Sequence, residues 1–330
     1  MMRLTNVELQ RFFLRRLTSV ALLGGLVITG LILFGGYQQA KPLSEQQMSY
    51  QRAQFDEAHK SWEVNGVAQF KDCVKNQAVA QQNDPKVDFR CNDMEPKWGG
   101  HWGKPKVKFV DLMRPLLLNL SYLIAFIGFL IGAGFVAAEF SSGSMGNWLT
   151  FEPRRMRVYV SKLTAAGLAM MPVAISLLTL LIAGVWVITA RYGITAGTTS
   201  EVWSDLGWIA GRSVVLAVVA AVVGAAMGAL LRHTAAVIGL AMGYLILVEG
   251  IFRNMFQSVR PWLFQINMDG WLQHGTKYYI QTCETDKLGN FRCDSVERLL
   301  GFGHSSVYLG LLVISVIALS ALVFQRRDVN

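Results

Sequence analysis

Three charged residues fall inside or at the ends of apolar runs, where a charge is costly unless it has work to do. Glu139 closes one run, Arg212 lies about one turn inside another, and Glu249 sits about one turn from the end of a third. Arg212 and Glu249 fall at similar depth on two runs joined by the tight 232–233 turn, so they are expected to pair. Arg253, one turn after Glu249, is the competing partner. Such a pair would hold a helical hairpin together or, less simply, contact a substrate.

No catalytic constellation accompanies these charges. The chain has no G-x₄-G-K-[ST] loop, no H-E-x-x-H and no G-x-S-x-G. "GGHWGK" at 99–104 imitates a phosphate loop without its spacing. No Asp-Glu-His relay crosses the apolar runs, which argues against an ion-coupled carrier. The chain is therefore read as no enzyme, holding no cofactor and no metal. Any uphill work must be driven by another polypeptide.

The four cysteines are Cys73, Cys91, Cys283 and Cys293, two in each of two long polar loops. Disulfides suit an oxidising exterior. Pairing within each loop is simplest, although four cysteines allow three connectivities. Zinc is disfavoured, because the spacing is not C-x₂-C and the five histidines are scattered.

The elements that must position these residues are membrane spans. Of 330 residues, 52% are hydrophobic and only 16% charged, against about a quarter charged in soluble domains. Six apolar runs approach the ~20 residues that cross a bilayer: 17–36, 115–138, 163–189, 208–231, 234–252 and 306–324. The expected fold is all-α, a polytopic membrane protein. The net charge of +9 lies beside these runs rather than on a nucleic-acid face, so no nucleic-acid partner is expected.

Arginines set the orientation. Arg3, Arg11, Arg15 and Arg16 precede the first span. Arg154, Arg155, Arg157 and Lys162 fill the 139–162 segment, Arg232 marks the tight turn, and Arg326 and Arg327 mark the 325–330 tail. Both termini are expected in the cytoplasm, with loops 37–114 and 253–305 outside. The first run is longer than a signal-peptide core and lacks a clean cleavage site, so it is read as a span.

Between spans, residues 2–16 read as an interfacial helix, with Leu9, Phe12, Phe13 and Leu17 on one side and Glu8, Arg11 and Arg15 on the other. In the first long loop, "SEQQ" at 44–47 fits a capping box. Two amphipathic helices, 45–62 and 66–81, are expected to fold against each other. In the second, 260–273 is apolar enough to dip into the interface, and 277–295 reads as a hairpin turning near Gly289-Asn290. Gly128/Gly132, Gly224/Gly228 and Gly239/Gly243 recur at the four-residue spacing of close helix crossings.

The segment "AEFSSGSMGNWLTFEPRRMRVYVSKL" (138–163) lies between the second and third spans. Ser141 or Ser142 is expected to cap a short helix. Met145, Trp148 and Leu149 share one face of it, and Pro153 ends it. A short helix with an apolar knob suits a groove on a partner.

The segment resembles the corresponding part of type-2 ATP-binding-cassette (ABC) exporter permeases, most like actinobacterial members. The matching residues are Glu139, Gly143-Ser144, Leu149, Pro153 with Arg154 and Arg155, and Lys162. The opening "ELQRFFLRR" and the ending "VFQRRDVN" resemble the same family; the long first external loop departs from many members. The resemblance implies a permease subunit of an exporter in the bacterial plasma membrane, embedded in lipid and paired with a second, identical permease. It implies two cytoplasmic ATPase subunits that bind ATP and Mg, and a coupling helix at about 142–150 with Met145 and Trp148 as its buried knob. Glu139 would pair with a nearby arginine or cap the following turn. The competing reading is a non-transporting scaffold or receptor-like protein that binds a partner through a disulfide-bonded exterior.

Overall fold

Among the described residues, six helices are long and apolar enough to cross a bilayer. In the computed structural model, which describes residues 2–83, 85, 87–99, 102–285 and 291–326, they lie in the expected order. After α1 (Met2–Leu14) come α2 (Arg16–Ala40, crossing from Thr18), α5 (Phe109–Ser141), α7 (Arg155–Tyr192), α8 (Ser200–Leu231), α9 (Thr234–Gly243) and α12 (Phe302–Arg326). The span begun by α9 continues without a break as a π-helix, Tyr244–Phe252, and a last short turn, α10 (Arg253–Met255). The fold is that of an all-α multi-pass membrane protein. At 38 residues, or about 57 Å, α7 is far longer than a bilayer core of ~30 Å requires.

The chain divides into two units. The larger comprises 1–34, 112–184 and 197–330. Its centre is the crossing of α5 and α8, where two of the three glycine pairs interlock. A Cβ on Gly132 would lie 2.1 Å from the Ala221 carbonyl oxygen, and one on Gly224 would lie 2.0 Å from that of Phe129. No side chain fits there, so the backbones touch. A shared hydrogen bond between the hydroxyls of Ser121 and Ser213 (2.6 Å) ties the same helices. Gly239 and Gly243 meet nothing within 4 Å and take no part in such packing. Ser320 Oγ donates to the Ala226 carbonyl (2.6 Å) and Tyr159 OH to that of Ile317 (3.0 Å), fixing α12 to α8 and α7. The 232–233 turn forms as expected, with Arg232 in the left-handed region (φ 55°) and its N–H returning to the Gly228 carbonyl.

At the other end of this unit the apolar 260–273 stretch contains α11 (Phe264–Leu272). It is buried in protein: Trp271 Nε1 donates to the Arg212 carbonyl, and Arg212 Nη1 to that of Leu272. β1 (Gly275–Thr285) and β2 (Phe291–Gly301) form the one sheet among the described residues, an antiparallel hairpin with Cys283 opposite Cys293. It is longer than the 277–295 expectation and runs straight into α12. The corner at Gly289-Asn290, like Gly100, His101 and Arg327, lies outside the described residues.

The smaller unit comprises 35–111 and 185–196. The capping box is present, with Ser44 Oγ accepting from the Gln47 N–H and the Gln47 side chain accepting from the Ser44 N–H. The two helices do not fold against each other. α3 (Glu45–Ser61) and α4 (Val67–Asn83) are joined by a π-helical turn, Trp62–Gly66, into one continuous run. Gly66 keeps helical geometry under the Trp62 ring, which would meet any Cβ there at 2.1 Å, so nothing reverses the chain. Part of the apolar side meets the irregular returning segment instead, while Val64, Val67 and Val74 stay exposed. Phe55 meets Trp98 and Trp102 edge-on at 5.5 and 5.9 Å, and Cys73 is bonded to Cys91. Lys104 Nζ donates to the carbonyls of Gln38 and Lys41 (2.8 and 2.9 Å), satisfying the end of α2.

Candidate coupling site

The segment between the second and third spans folds as a two-turn helix, α6 (Ser144–Phe151). Its start differs from expectation. No serine side chain caps it; Gly143 takes the left-handed conformation (φ 69°) in front of it. Ser141 Oγ and Ser142 Oγ donate backwards, to the carbonyls of Ala138 and Glu139. Its end follows expectation: Glu152 is extended before Pro153, and its N–H reaches the Trp148 carbonyl.

The face that α6 turns toward the spans carries Met145, which is 1% exposed. Met145 is thus packed within the chain and is not a free knob. Trp148 is half-buried between two cations: Arg11 Cζ lies 4.7 Å and Lys162 Nζ 5.5 Å from its ring centroid. Phe151 is turned outward and is 86% exposed. Sequence reasoning passed over Phe151 because its apolar stripe was counted from Met145; the signal was its position three after Trp148 and immediately before Glu152-Pro153. Arg154 and Arg157 are exposed beside it, while Arg155 Nη1 donates to the Gln325 carbonyl at the end of α12 (3.3 Å). The Leu149 side chain is not described.

Behind α6 lies a group of four charges, three of them on α1, α5 and α7 and the fourth, Arg15, at the break between α1 and α2. Glu139 at the end of α5 bonds Arg15 Nη2 (2.6 Å) and contacts Lys162 Nζ on α7. Lys162 Nζ also bonds Glu8 of α1 (2.8 Å). Glu8, Glu139 and Lys162 are essentially inaccessible. Arg15 Nη1 also reaches the Phe135 carbonyl (2.7 Å), and the Phe135 ring lies under both Arg15 and Lys162 at 5.0 and 5.5 Å. Two anions and two cations cancel, so burial is tolerable as long as the charges stay balanced. Of the two uses open to Glu139, the structure shows pairing, with Lys162 as well as an arginine.

This group revises the reading of α1. Glu8 and Phe12 are buried together, while Phe13, placed on the apolar side of the pattern, is exposed. The expected split put every charged residue on the wet side. It could not see Glu8, because the lysine that neutralises it lies 154 residues away.

The other sequence-derived sites are separate from this one. Arg212 and Glu249 are not brought together. Arg212 donates to the Leu272 carbonyl, whereas Glu249 Oε1 accepts from the Gln265 N–H (2.9 Å) and Tyr244 OH (3.3 Å). Nor does Arg253 take Glu249; it bonds the Gln265 side chain (2.8 Å). The intervening α11 supplies backbone partners to both charges, which two helices considered alone could not reveal. The cysteines pair within their loops, Cys73–Cys91 and Cys283–Cys293. Among the described residues no group of His, Cys, Asp and Glu is arranged to hold a metal.

The family model of ABC-2 family transporter proteins matches residues 15–329, nearly the whole chain. No curated protein and no solved structure matches it. A six-span chain with a short helix between its second and third spans, matched along almost its full length, belongs to the ABC-2 transporter family and is the membrane-spanning permease subunit of an ABC transporter.

Proposed function

We propose that this permease exports its substrate across the bacterial plasma membrane as one of two identical copies, driven by two separate cytoplasmic ATPase subunits that bind ATP and Mg. Both termini and α6 face the cytoplasm; the α3–α4 unit and the disulfide-bonded hairpin face outside. The arginine distribution and the placement of both disulfides support this orientation.

The observation that carries the reading is the two-sided character of α6. Phe151 projects outward among Arg154 and Arg157, while Met145 and Trp148 are held from within. A helix built in this way transmits displacement. Its outer face docks on the ATPase with Phe151 as the knob, in place of the Met145 first expected. Its inner face moves the Glu8–Arg15–Glu139–Lys162 group, and with it α1, α5 and α7. ATP can shift the permease only through contacts that differ between two states, and this is where such contacts are made.

Co-purification tests the reading. With the cognate ATPase, Phe151→Ala is expected to lower ATPase association about thirtyfold while the permease stays inserted and monodisperse, as loss of a buried aromatic anchor costs on the order of 2 kcal/mol. Unchanged association and transport would remove α6 as the coupling element.

A further inference from the structure

The two edges of the β1–β2 hairpin are treated differently. On the outer edge of β1, the Gln281 N–H donates to the Gln257 side chain and the Tyr279 carbonyl accepts from Arg260, both supplied by the 3₁₀ turn Gln257–Trp262. These contacts fix which backbone groups face outward. In an antiparallel ladder a residue's N–H and C=O point to the same side, and two residues opposite each other at a non-hydrogen-bonded position both point away from the pair. Tyr279 lies opposite Glu297, and Gln281 opposite Ser295. The backbone groups of Ser295, Glu297 and, two residues on, Leu299 therefore point out of the far edge of β2. All three residues are exposed, and among the described residues no hydrogen bond reaches their outward groups. No proline or bulge interrupts this edge. A bare edge of this kind is a template for another strand.

The sequence of β2, FRCDSVERLLG, says which strand fits. Set antiparallel to itself about Val296, it pairs along its whole length, from Phe291 opposite Gly301 onward. Arg298 of each copy then falls opposite Asp294 of the other, so two pairs of opposite charge flank a Val296–Val296 contact. Neighbouring registers lose this match. Centring on Ser295 sets Arg292 against Arg298, and centring on Glu297 sets that residue against itself; like charges directly opposite are destabilising. The two-fold axis of such a pair stands perpendicular to the sheet. Each copy thus keeps the face carrying Tyr278 and Leu300 on its own Leu263 and Ile266, and both hairpins turn the same face outward, as two copies inserted in one direction require.

We propose that two copies of the permease join along β2, making one four-stranded sheet from two hairpins, with its two-fold axis at Val296. The pairing rests on the proposed function, in which the permease acts as two identical copies, and adds the surface by which they recognise each other. A strand from another protein could use the same backbone groups, but the charge match belongs to a second copy of this chain.

Cysteine cross-linking of the full chain in membranes tests this, with copper phenanthroline and air as oxidant. Every native cysteine is paired, so an introduced thiol reports alone. Val296→Cys would meet its own copy with the Cα atoms about 4.5 Å apart, within disulfide reach. Leu299→Cys is more exposed, at 75% for the native leucine, yet lies six register positions from its copy, about 20 Å, which is out of reach. A 296–296 bridge is expected by peptide mapping, with little dimer from Leu299→Cys. Adding Arg298→Asp to Val296→Cys should lower the yield about three- to tenfold, and adding Asp294→Arg as well should restore it. The mass of the purified permease in detergent, from light scattering, separates the two readings. A dimer without the 296–296 bridge would overturn the edge pairing and leave the two-copy reading standing, whereas a monomer would overturn both. Equal bridging at 296 and 299, no rescue by the charge swap, or a bridge from 296 to a different protein would each overturn the pairing.

Discussion

Lys162 is the residue on which the α6 end of the chain is balanced. It faces Glu8 and Glu139 at once, with Arg15 completing the neutral set. Lys162→Met leaves two carboxylates against one arginine and is expected to destabilise by about 3–5 kcal/mol. Adding Glu8→Gln restores a neutral Glu139–Arg15 pair, so the double variant should be more stable than Lys162→Met alone, a reversal readable in thermal unfolding in detergent. A double variant less stable than both singles would contradict the charge balance.

Asp269 shows the opposite situation at the hairpin end. Burial raises its carboxyl above the usual 3.8, outweighing the hydrogen bond from Tyr122 and the attraction of Arg253, which lower it. The folded state therefore holds the proton more tightly than the unfolded chain. The resulting stabilisation is complete below 3.8 and is lost as pH rises through the raised value. Wild type is expected to lose melting temperature relative to Asp269→Asn on moving from pH 4 to neutrality; parallel curves would refute the assignment.

Among the elements, the spans and their crossings were largely readable, because hydropathy and glycine spacing are local signals. The α5–α8 contact follows from Gly128/Gly132 and Gly224/Gly228. Gly132→Leu or Gly224→Leu should force the backbones apart and cost at least about 1–3 kcal/mol, whereas Gly239→Leu, with open space around it, should be tolerated. Equal losses at all three, seen as equal falls in melting temperature, would contradict the packing described. What sequence did not disclose depended on partners distant in the chain. Glu8 is buried because of Lys162, Arg212 and Glu249 are separated because α11 lies between them, and α3 and α4 stay in line because Phe55 finds Trp98 and Trp102. Periodicity within one helix carries none of this information. Met145 misled for a related reason: a single apolar stripe on α6 was assigned to a partner, although the chain itself buries its leading residue.

Across the whole molecule, the proposed coupling runs from the exposed Phe151 to a buried group of charges that gathers three helices, and two disulfides fasten the long loops proposed to face outside. Non-reducing mass mapping is expected to find Cys73–Cys91 and Cys283–Cys293, and a bridge between the two loops would contradict the fold. Because all four cysteines are paired, one introduced cysteine supplies a lone reporter thiol. The most direct measurement places it at Phe151→Cys, with Val64→Cys on α3–α4 as counterpart, in membranes containing the ATPase. The account predicts that the thiol at 151 is labelled by an impermeant reagent from the cytoplasmic side only and cross-links to the ATPase, while that at 64 is labelled only from outside. Labelling of 151 from outside, or failure to cross-link in a complex that still transports, would contradict it.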